Sequence, residues 1–177
     1  MKLYYREYGS YSDQRPTLIL LHGLLGSSSN WHGIARQLEA GHHIIVPDLR
    51  NHGRSPHADD VGYPAHVADL LELLDEHGLD SVQLVGHSMG GKAAMQLALE
   101  QPQRVSALVV VDIAPVTYPD RFQTIYSAMT SLDLFSQTSR NSAEHQLMAL
   151  LHDKGLCQYL LQNLVREGEV WRWRVNL

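Results

Sequence analysis

A single cysteine, Cys157, is the whole thiol content of the 177-residue chain, so no disulfide can close within it. Lysine is scarce: three of fourteen basic residues, against nineteen acidic ones, for a formal charge of −5. No basic stripe offers a face to nucleic acid or an anionic membrane, and neither is expected as a partner. No apolar run approaches the ~20 residues of a membrane span. The opening MKLYYREYGS lacks an apolar signal core. These absences point to a cytoplasmic protein. What is present, 44% apolar and 19% charged residues, suits a globular chain long enough to bury a sizeable core.

Short apolar runs alternate with helical patterns. Thr17–Leu21 reads as a buried strand that stops at His22-Gly23, and Trp31–Leu38 as the helix after it. Residues 44–46 form a second strand, halted by Pro47. His66–His77 is helical, with Val67, Leu70, Leu71 and Leu74 on one face. Residues 82–85 form a third strand, 89–100 a helix stopped before Pro102, and 107–111 (ALVVV) a fourth strand ending at Asp112. Continuous apolar strands alternating with helices predict an α/β fold, a mostly parallel sheet covered on both faces. Residues 2–8 are expected to add an antiparallel edge strand. After Pro115 the rhythm changes. Residues 118–166 read as helical, with no strand between the helices, and Tyr118, Phe122, Tyr126 and Met129 form one stripe. Residues 170–177 alternate as a strand in which the chain stops, packed by Trp171 and Trp173. Two regions follow, 1–115 and 116–177.

The stretch LVGHSMGGKA, residues 84–93, fits two motifs. Gly86, Gly91 and Lys92 match G-x-x-x-x-G-K, the phosphate loop of nucleotide hydrolases, and Leu108–Val111 with Asp112 resembles their magnesium-binding strand. The slot for the magnesium-binding hydroxyl, however, is Ala93. Gly86-His87-Ser88-Met89-Gly90 fits G-x-S-x-G, the nucleophile elbow, whose strained turn needs small residues two positions either side of the serine. His22-Gly23-Leu24 follows the first parallel strand, where such hydrolases place the other half of the oxyanion hole. Ser88 is therefore the candidate nucleophile, with the backbone N–H groups of Leu24 and Met89 as oxyanion donors.

The segments LLHGLLGSSSNW, PDLRNHGRS, VGHSMGGK and VDIAPVTY together resemble the α/β-hydrolase fold superfamily, in particular its branch of YbfF-like esterases and thioesterases. The resemblance runs from Lys2 to the end of the chain. It implies cleavage of small-molecule acyl esters or acyl-CoA thioesters through an acyl-serine, without metal or cofactor. It also implies that residues 116–177 form a helical cap over the site. Homologues that make a menaquinone intermediate share the same motifs and are the nearest competitor of the same fold. Members of the branch continue past the cap, and their catalytic histidine lies in a late loop. A truncated product, nearly inactive and poorly stable on its own, is expected here. A non-catalytic binding module is the alternative from a different class.

Asp112 is the candidate triad acid by the same resemblance, with a turn-capping aspartate as the bland reading. His22, Gly23, His87, Tyr118 and Phe122 are candidate substrate contacts. The His87 ring itself is expected to turn away into the fold. His52 reads as structural, His145 and His152 as ordinary helix histidines, and Asp48 and Arg50 as braces of their loop. Lys92 reads as a helix-surface residue able to attract an anionic substrate such as CoA. Cys157 reads as a small core residue. The ALVVV strand, bare on one side, is expected to invite self-association.

Overall fold

The computed structural model describes residues 1–177. Two compact units divide it, Met1–Pro115 and Val116–Leu177.

In the first unit, five strands form one sheet in the order β1-β3-β2-β4-β5: β1 (Tyr5–Tyr8), β2 (Thr17–Leu21), β3 (Ile44–Pro47), β4 (Val82–His87) and β5 (Val105–Val111). Only β1 runs antiparallel, pairing Tyr5 with Pro47 and Tyr8 with Ile44. The central strands β2 and β3 are buried along their whole length, which is why they read as unbroken apolar runs rather than alternating ones. Helix α1 (His32–Leu38) lies on one face, where Ala35 packs with Leu18, Leu20, Ile44 and Val46. Helices α2 (Tyr63–Glu76) and α3 (Met89–Glu100) lie on the other. Val67, Leu70, Leu74, Ala94 and Leu97 meet Ile19, Leu21, Ile45 and Leu84 there. The α2 stripe recurs every three or four residues, so one helical face supplies the whole contact. A helix begun at Tyr63 also carries Pro64 in its first turn, where the missing N–H costs nothing.

The parallel sheet layered by helices agrees with the expected α/β class, and the antiparallel edge strand stands where it was expected.

The second unit holds α4 (Gln123–Thr130), α5 (Arg140–Leu151), α6 (Lys154–Leu161) and a hairpin of β6 (Leu164–Glu167) and β7 (Val170–Trp173). Ser139 caps α5 by accepting from Ser142 N–H, and Asp153 caps α6 by accepting from Leu156 N–H. Met129, Leu147, Leu160, Leu164 and the expected core residue Cys157 are buried. Trp173 Nε1–H donates to the Met129 carbonyl at 3.1 Å, tying the hairpin to α4.

Three expectations are corrected in this unit. The third helix is shorter than its stripe suggested: α6 ends at Leu161, and Leu164, read as the last residue of that stripe, begins β6. The final strand ends at Trp173 rather than running to the last residue. Tyr118 and Phe122 precede α4 and are exposed, so the aromatic stripe is helical only from Tyr126 onward. Tyr118 stands before Pro119, which disfavours helical backbone there. Phe122 N–H donates to Asp120 Oδ1 at 3.0 Å, a local turn that delays the helix start.

Candidate active site

Strand β4 runs out at His87 and α3 begins at Met89, leaving Ser88 alone in the turn. Its backbone sits at φ 50° and ψ −114°, a region that side-chain-bearing residues seldom enter. Two bonds hold it there. Ser88 N–H donates to the Val111 carbonyl, and Lys92 N–H donates to the Ser88 carbonyl, both at 3.0 Å. The first-turn N–H of Met89 has no partner within its helix.

Such a turn exists only because its neighbours are glycines. A Cβ on Gly86 would collide with the Gly90 carbonyl and stand 2.6 Å from Gly91 Cα. A Cβ on Gly90 would stand 2.6 Å from the His22 carbonyl oxygen and 2.7 Å from Leu21 Cβ. Helix and strands therefore meet at backbone distance, as the elbow motif requires.

The loop after β2 comes against the elbow from the side. A Cβ on Gly23 would lie 2.8 Å from His87 Nδ1 and 3.4 Å from Ser88 Cβ. Gly26 N–H closes a turn by donating to the Gly23 carbonyl at 3.0 Å. Leu25 holds a positive φ of 60° within that turn.

Two buried imidazoles lace this loop to the one after β3. His22 Nε2 accepts the Leu49 N–H at 2.9 Å, so its proton sits on Nδ1, which donates to the Gly23 carbonyl at 2.8 Å. His52 uses the same tautomer to reach back the other way: Nε2 accepts the Leu25 N–H at 3.1 Å and Nδ1–H donates to the Arg50 carbonyl at 2.8 Å. The rings lie 5.2 Å apart. With both nitrogens of each ring engaged, neither is placed to take a proton from Ser88. Burial pushes His22 down to about 3 and lowers His52 as well, so both stay neutral.

The loop-bracing roles expected of Asp48 and Arg50 are seen. Asp48 accepts from Ser28 N–H (2.5 Å) and Arg54 N–H (2.8 Å). Arg50 grips Asp69 of α2 twice, at 2.7 and 2.8 Å, with both side chains buried. His66, on the same helix, is buried with Nδ1 unpartnered and is lowered to about 4, chiefly by burial and then by the Arg50 charge.

Asp112 follows β5 at a positive φ of 54°, one residue beyond the Val111 carbonyl that holds Ser88. Its Oδ2 lies 3.8 Å from His87 Nε2. This corrects the expected inward course of His87, whose side chain is 41% exposed and faces Asp112. Gly23 packs against the Nδ1 side of the ring, where an added Cβ would lie 2.8 Å from Nδ1. Ser88, Gly23, His87 and Asp112 are thus brought together. Tyr118 and Phe122 belong to the second unit, as do His145 and His152, which are exposed.

The histidine clamp has a trace in the sequence: two His-Gly dipeptides, His22-Gly23 directly after β2 and His52-Gly53 in the loop that follows the adjacent strand β3. Nothing in the spacing shows that each ring reaches across to the other's loop. For the phosphate-loop motif, Ala93 is fully buried and offers no hydroxyl to a magnesium ion. No group of three or more His, Cys, Asp or Glu side chains is arranged to hold a metal ion.

The family profile described as "alpha/beta hydrolase fold" matches residues 16–163. A curated relative, "sn-1-specific diacylglycerol lipase ABHD11" of Xenopus tropicalis, is 44% identical over 170 residues, covering 92% of this chain and 53% of its own length. "Esterase YbfF" of Escherichia coli K12 is 40% identical over 161 residues, covering 90% of this chain and 62% of its own. A solved structure described as "Marine microorganism esterase" superposes with a TM-score of 0.94 at 38% identity, covering 99% of this chain and 69% of that one. The chain spans between half and two thirds of the length of those two curated relatives.

Proposed function

The chain belongs to the α/β-hydrolase fold family, and on that premise we propose that Ser88 is the nucleophile of a site that hydrolyses carboxylic esters. The observation that carries this reading is the Ser88 backbone itself, held at φ 50° between a sheet strand and a helix, with Gly23 hard against it. A strain of this kind, of order 1–3 kcal/mol, persists only where the surroundings enforce it.

In the proposed reaction, Ser88 Oγ attacks the carbonyl carbon of the ester. The electron pair moves onto the carbonyl oxygen, and the N–H groups of Leu24 and Met89 stabilise that oxyanion. Collapse expels the alcohol and leaves an acyl-serine, which water hydrolyses to the acid. The hydroxyl proton needs a base, and His22 and His52 are both engaged elsewhere. Asp112 is proposed to orient the histidine that serves, following the Ser–Asp–His order of this fold. Among residues 1–177, the imidazole facing Asp112 is His87.

Acyl-CoA thioesters fall within the same reading, since a thiolate leaves more readily than an alkoxide, and Lys92 near the elbow offers a positive charge to an anionic leaving group. The β5 edge is proposed to mediate self-association.

A fluorophosphonate probe followed by intact and peptide mass spectrometry tests the reading. One adduct, on Ser88 and lost in Ser88→Ala, is expected. An adduct on another residue, or labelling that survives Ser88→Ala, overturns it. Parallel assays with p-nitrophenyl butyrate and butyryl-CoA separate ester from thioester cleavage.

A further inference from the structure

We propose that His22 is a positioning residue for this reaction: by holding the Gly23 carbonyl, its Nδ1–H aims and polarises the Leu24 N–H that receives the oxyanion. The inference rests on the reading of Leu24 as an oxyanion donor.

The Gly23 carbonyl and the Leu24 N–H are two ends of one peptide unit. That unit is planar and trans, so fixing the carbonyl direction fixes the N–H, which points the opposite way. Two donors converge on the Gly23 oxygen, Gly26 N–H at 3.0 Å and His22 Nδ1–H at 2.8 Å. The imidazole is itself held at its far side by Leu49 N–H, 2.9 Å from Nε2. The result is a head-to-tail series: Leu49 N–H to the His22 ring, the ring to the Gly23 carbonyl, and the Leu24 N–H outward to the substrate oxygen. Dipoles in such a series reinforce one another, by roughly 10–30% per bond.

The surroundings protect the arrangement. His22 is 1% exposed, so water does not compete for either nitrogen. On the neighbouring ring, His52 Nε2 fixes Leu25 N–H, the next amide along, at a residue already held at positive φ. The Gly23–Leu24 peptide is thereby pinned on both sides, so an oxyanion would meet a donor that need not reorganise. Catalytic electrostatics depends on that preorganisation.

Two substitutions split the two functions of the ring. In His22→Asn the amide nitrogen replaces Nδ1, keeping a donor to Gly23 and losing the acceptor for Leu49. In His22→Gln the amide oxygen replaces Nε2, keeping the acceptor and losing the donor. A merely structural histidine would be damaged alike by both. The experiment compares fluorophosphonate labelling rates of Ser88 in the parent and both variants, and records the Leu24 amide proton shift by NMR on labelled protein. We expect labelling in His22→Gln to fall by about tenfold, below the 10²–10³ for outright loss of one donor, and the fall in His22→Asn, which keeps the donor to Gly23 but strands Leu49 N–H, to be smaller by at least about threefold. The Leu24 amide proton should move upfield in His22→Gln alone. Equal losses in both variants, parental labelling in His22→Gln, or an unmoved Leu24 proton in that variant would each overturn the proposal.

A parent that takes no label on Ser88 sinks the esterase reading instead, and the Leu24 shift then decides the inference by itself. Should either variant fail to fold, the parent's couplings across the two hydrogen bonds, from Leu49 N to His22 Nε2 and from His22 Nδ1 to the Gly23 carbonyl carbon, decide it. Both must be observed, and the absence of either overturns the alignment.

Discussion

Asp112 Oδ2 lies 3.8 Å from His87 Nε2, and the residue before Asp112 holds the Ser88 amide through its carbonyl. The Asp112 carboxylate and the Ser88 amide are therefore fixed by the same strand end. Asp112→Asn separates the triad acid from the turn residue, because Asn tolerates the positive φ as well as Asp does. The backbone is kept and the charge is lost. If Asp112 orients the base, hydrolysis should fall steeply, toward the roughly 10⁴-fold cost of the same change in a serine protease triad. Parental rates of p-nitrophenyl butyrate hydrolysis in the variant would leave Asp112 a turn residue.

The glycines of the elbow predict a different kind of loss. Gly86→Ala drives a methyl group into the Gly90 carbonyl, and neither the strand nor the helix can retreat without moving Ser88. Overpacking costs of about 1–3 kcal/mol are expected. The urea midpoint should drop, and Ser88 should lose its fluorophosphonate reactivity. By contrast, Gly33→Ala, where an added methyl meets nothing within 4 Å, should do neither. An unchanged midpoint in Gly86→Ala would mean that the turn is looser than its geometry.

What the sequence disclosed is what local chemistry dictates. The elbow was legible because a strained serine demands small neighbours two residues away, a pattern that needs no knowledge of the rest of the chain. The buried strands β2 and β3 were legible because burial on both faces leaves no polar position. The clamp of His22 and His52 was not, since each ring bonds an amide 27 residues away and spacing carries no sign of that reach. His87 was misjudged because what surrounds its ring, the close-packed Gly23 and the carboxylate of Asp112 at 3.8 Å, is distant in sequence and leaves no mark in the local pattern. Strand β6 was hidden by Leu156, Leu160 and Leu164, whose spacing of four continues a helix as well as it begins a buried strand.

Arg50 and Asp69 form a bidentate pair with both side chains buried, at 8% and 1% exposure. Removing Asp69, which also pairs with the N-terminal ammonium at 2.6 Å, leaves the buried Arg50 charge with no carboxylate in contact and only the Asp60 carbonyl to donate to. Asp69→Ala should cost about 3–5 kcal/mol, whereas replacing both with apolar residues of similar size should cost far less. Chemical denaturation of the single variant and of Arg50→Met with Asp69→Leu checks this. Equal losses would show that the pair's hydrogen bonds to the loop, not its uncompensated charge, set the cost.

The buried imidazoles predict acid sensitivity. His22 and His66 ionise near 3 and 4 in the folded chain, against 6.5 when unfolded. Below pH 6.5 the unfolded chain binds protons that the folded chain refuses, so stability falls as pH falls. Above 6.5 these two groups contribute no further dependence. Each should remove about 1.4 kcal/mol per pH unit once well below 6.5, down to its folded value. His52, also lowered by burial, adds in the same direction. Urea midpoints at pH 7.5, 6.5, 5.5 and 5.0 isolate this effect from most carboxylates, which protonate lower. A midpoint flat over that range would show that the rings accept protons in place.

The last expectation concerns the sheet edge. Strand β5 is bonded to β4 on one side only, and its sequence VSALVVV carries no charge. Leu108, Val109 and Val111 are all exposed, Val109 by 52%. An unpaired, uncharged, β-branched edge has amide and carbonyl groups ready for another strand and apolar side chains that gain by covering it. Charge is the usual protection and is absent here. Val109→Lys supplies it at a position where the folded chain loses little packing, so stability should stay within about 0.5 kcal/mol of the parent. The parent should show concentration-dependent growth in size by light scattering, and Val109→Lys should suppress it. If the lysine variant associates as strongly as the parent, pairing does not run through this edge. If the parent is monodisperse at every concentration, the edge does not recruit a second chain at all.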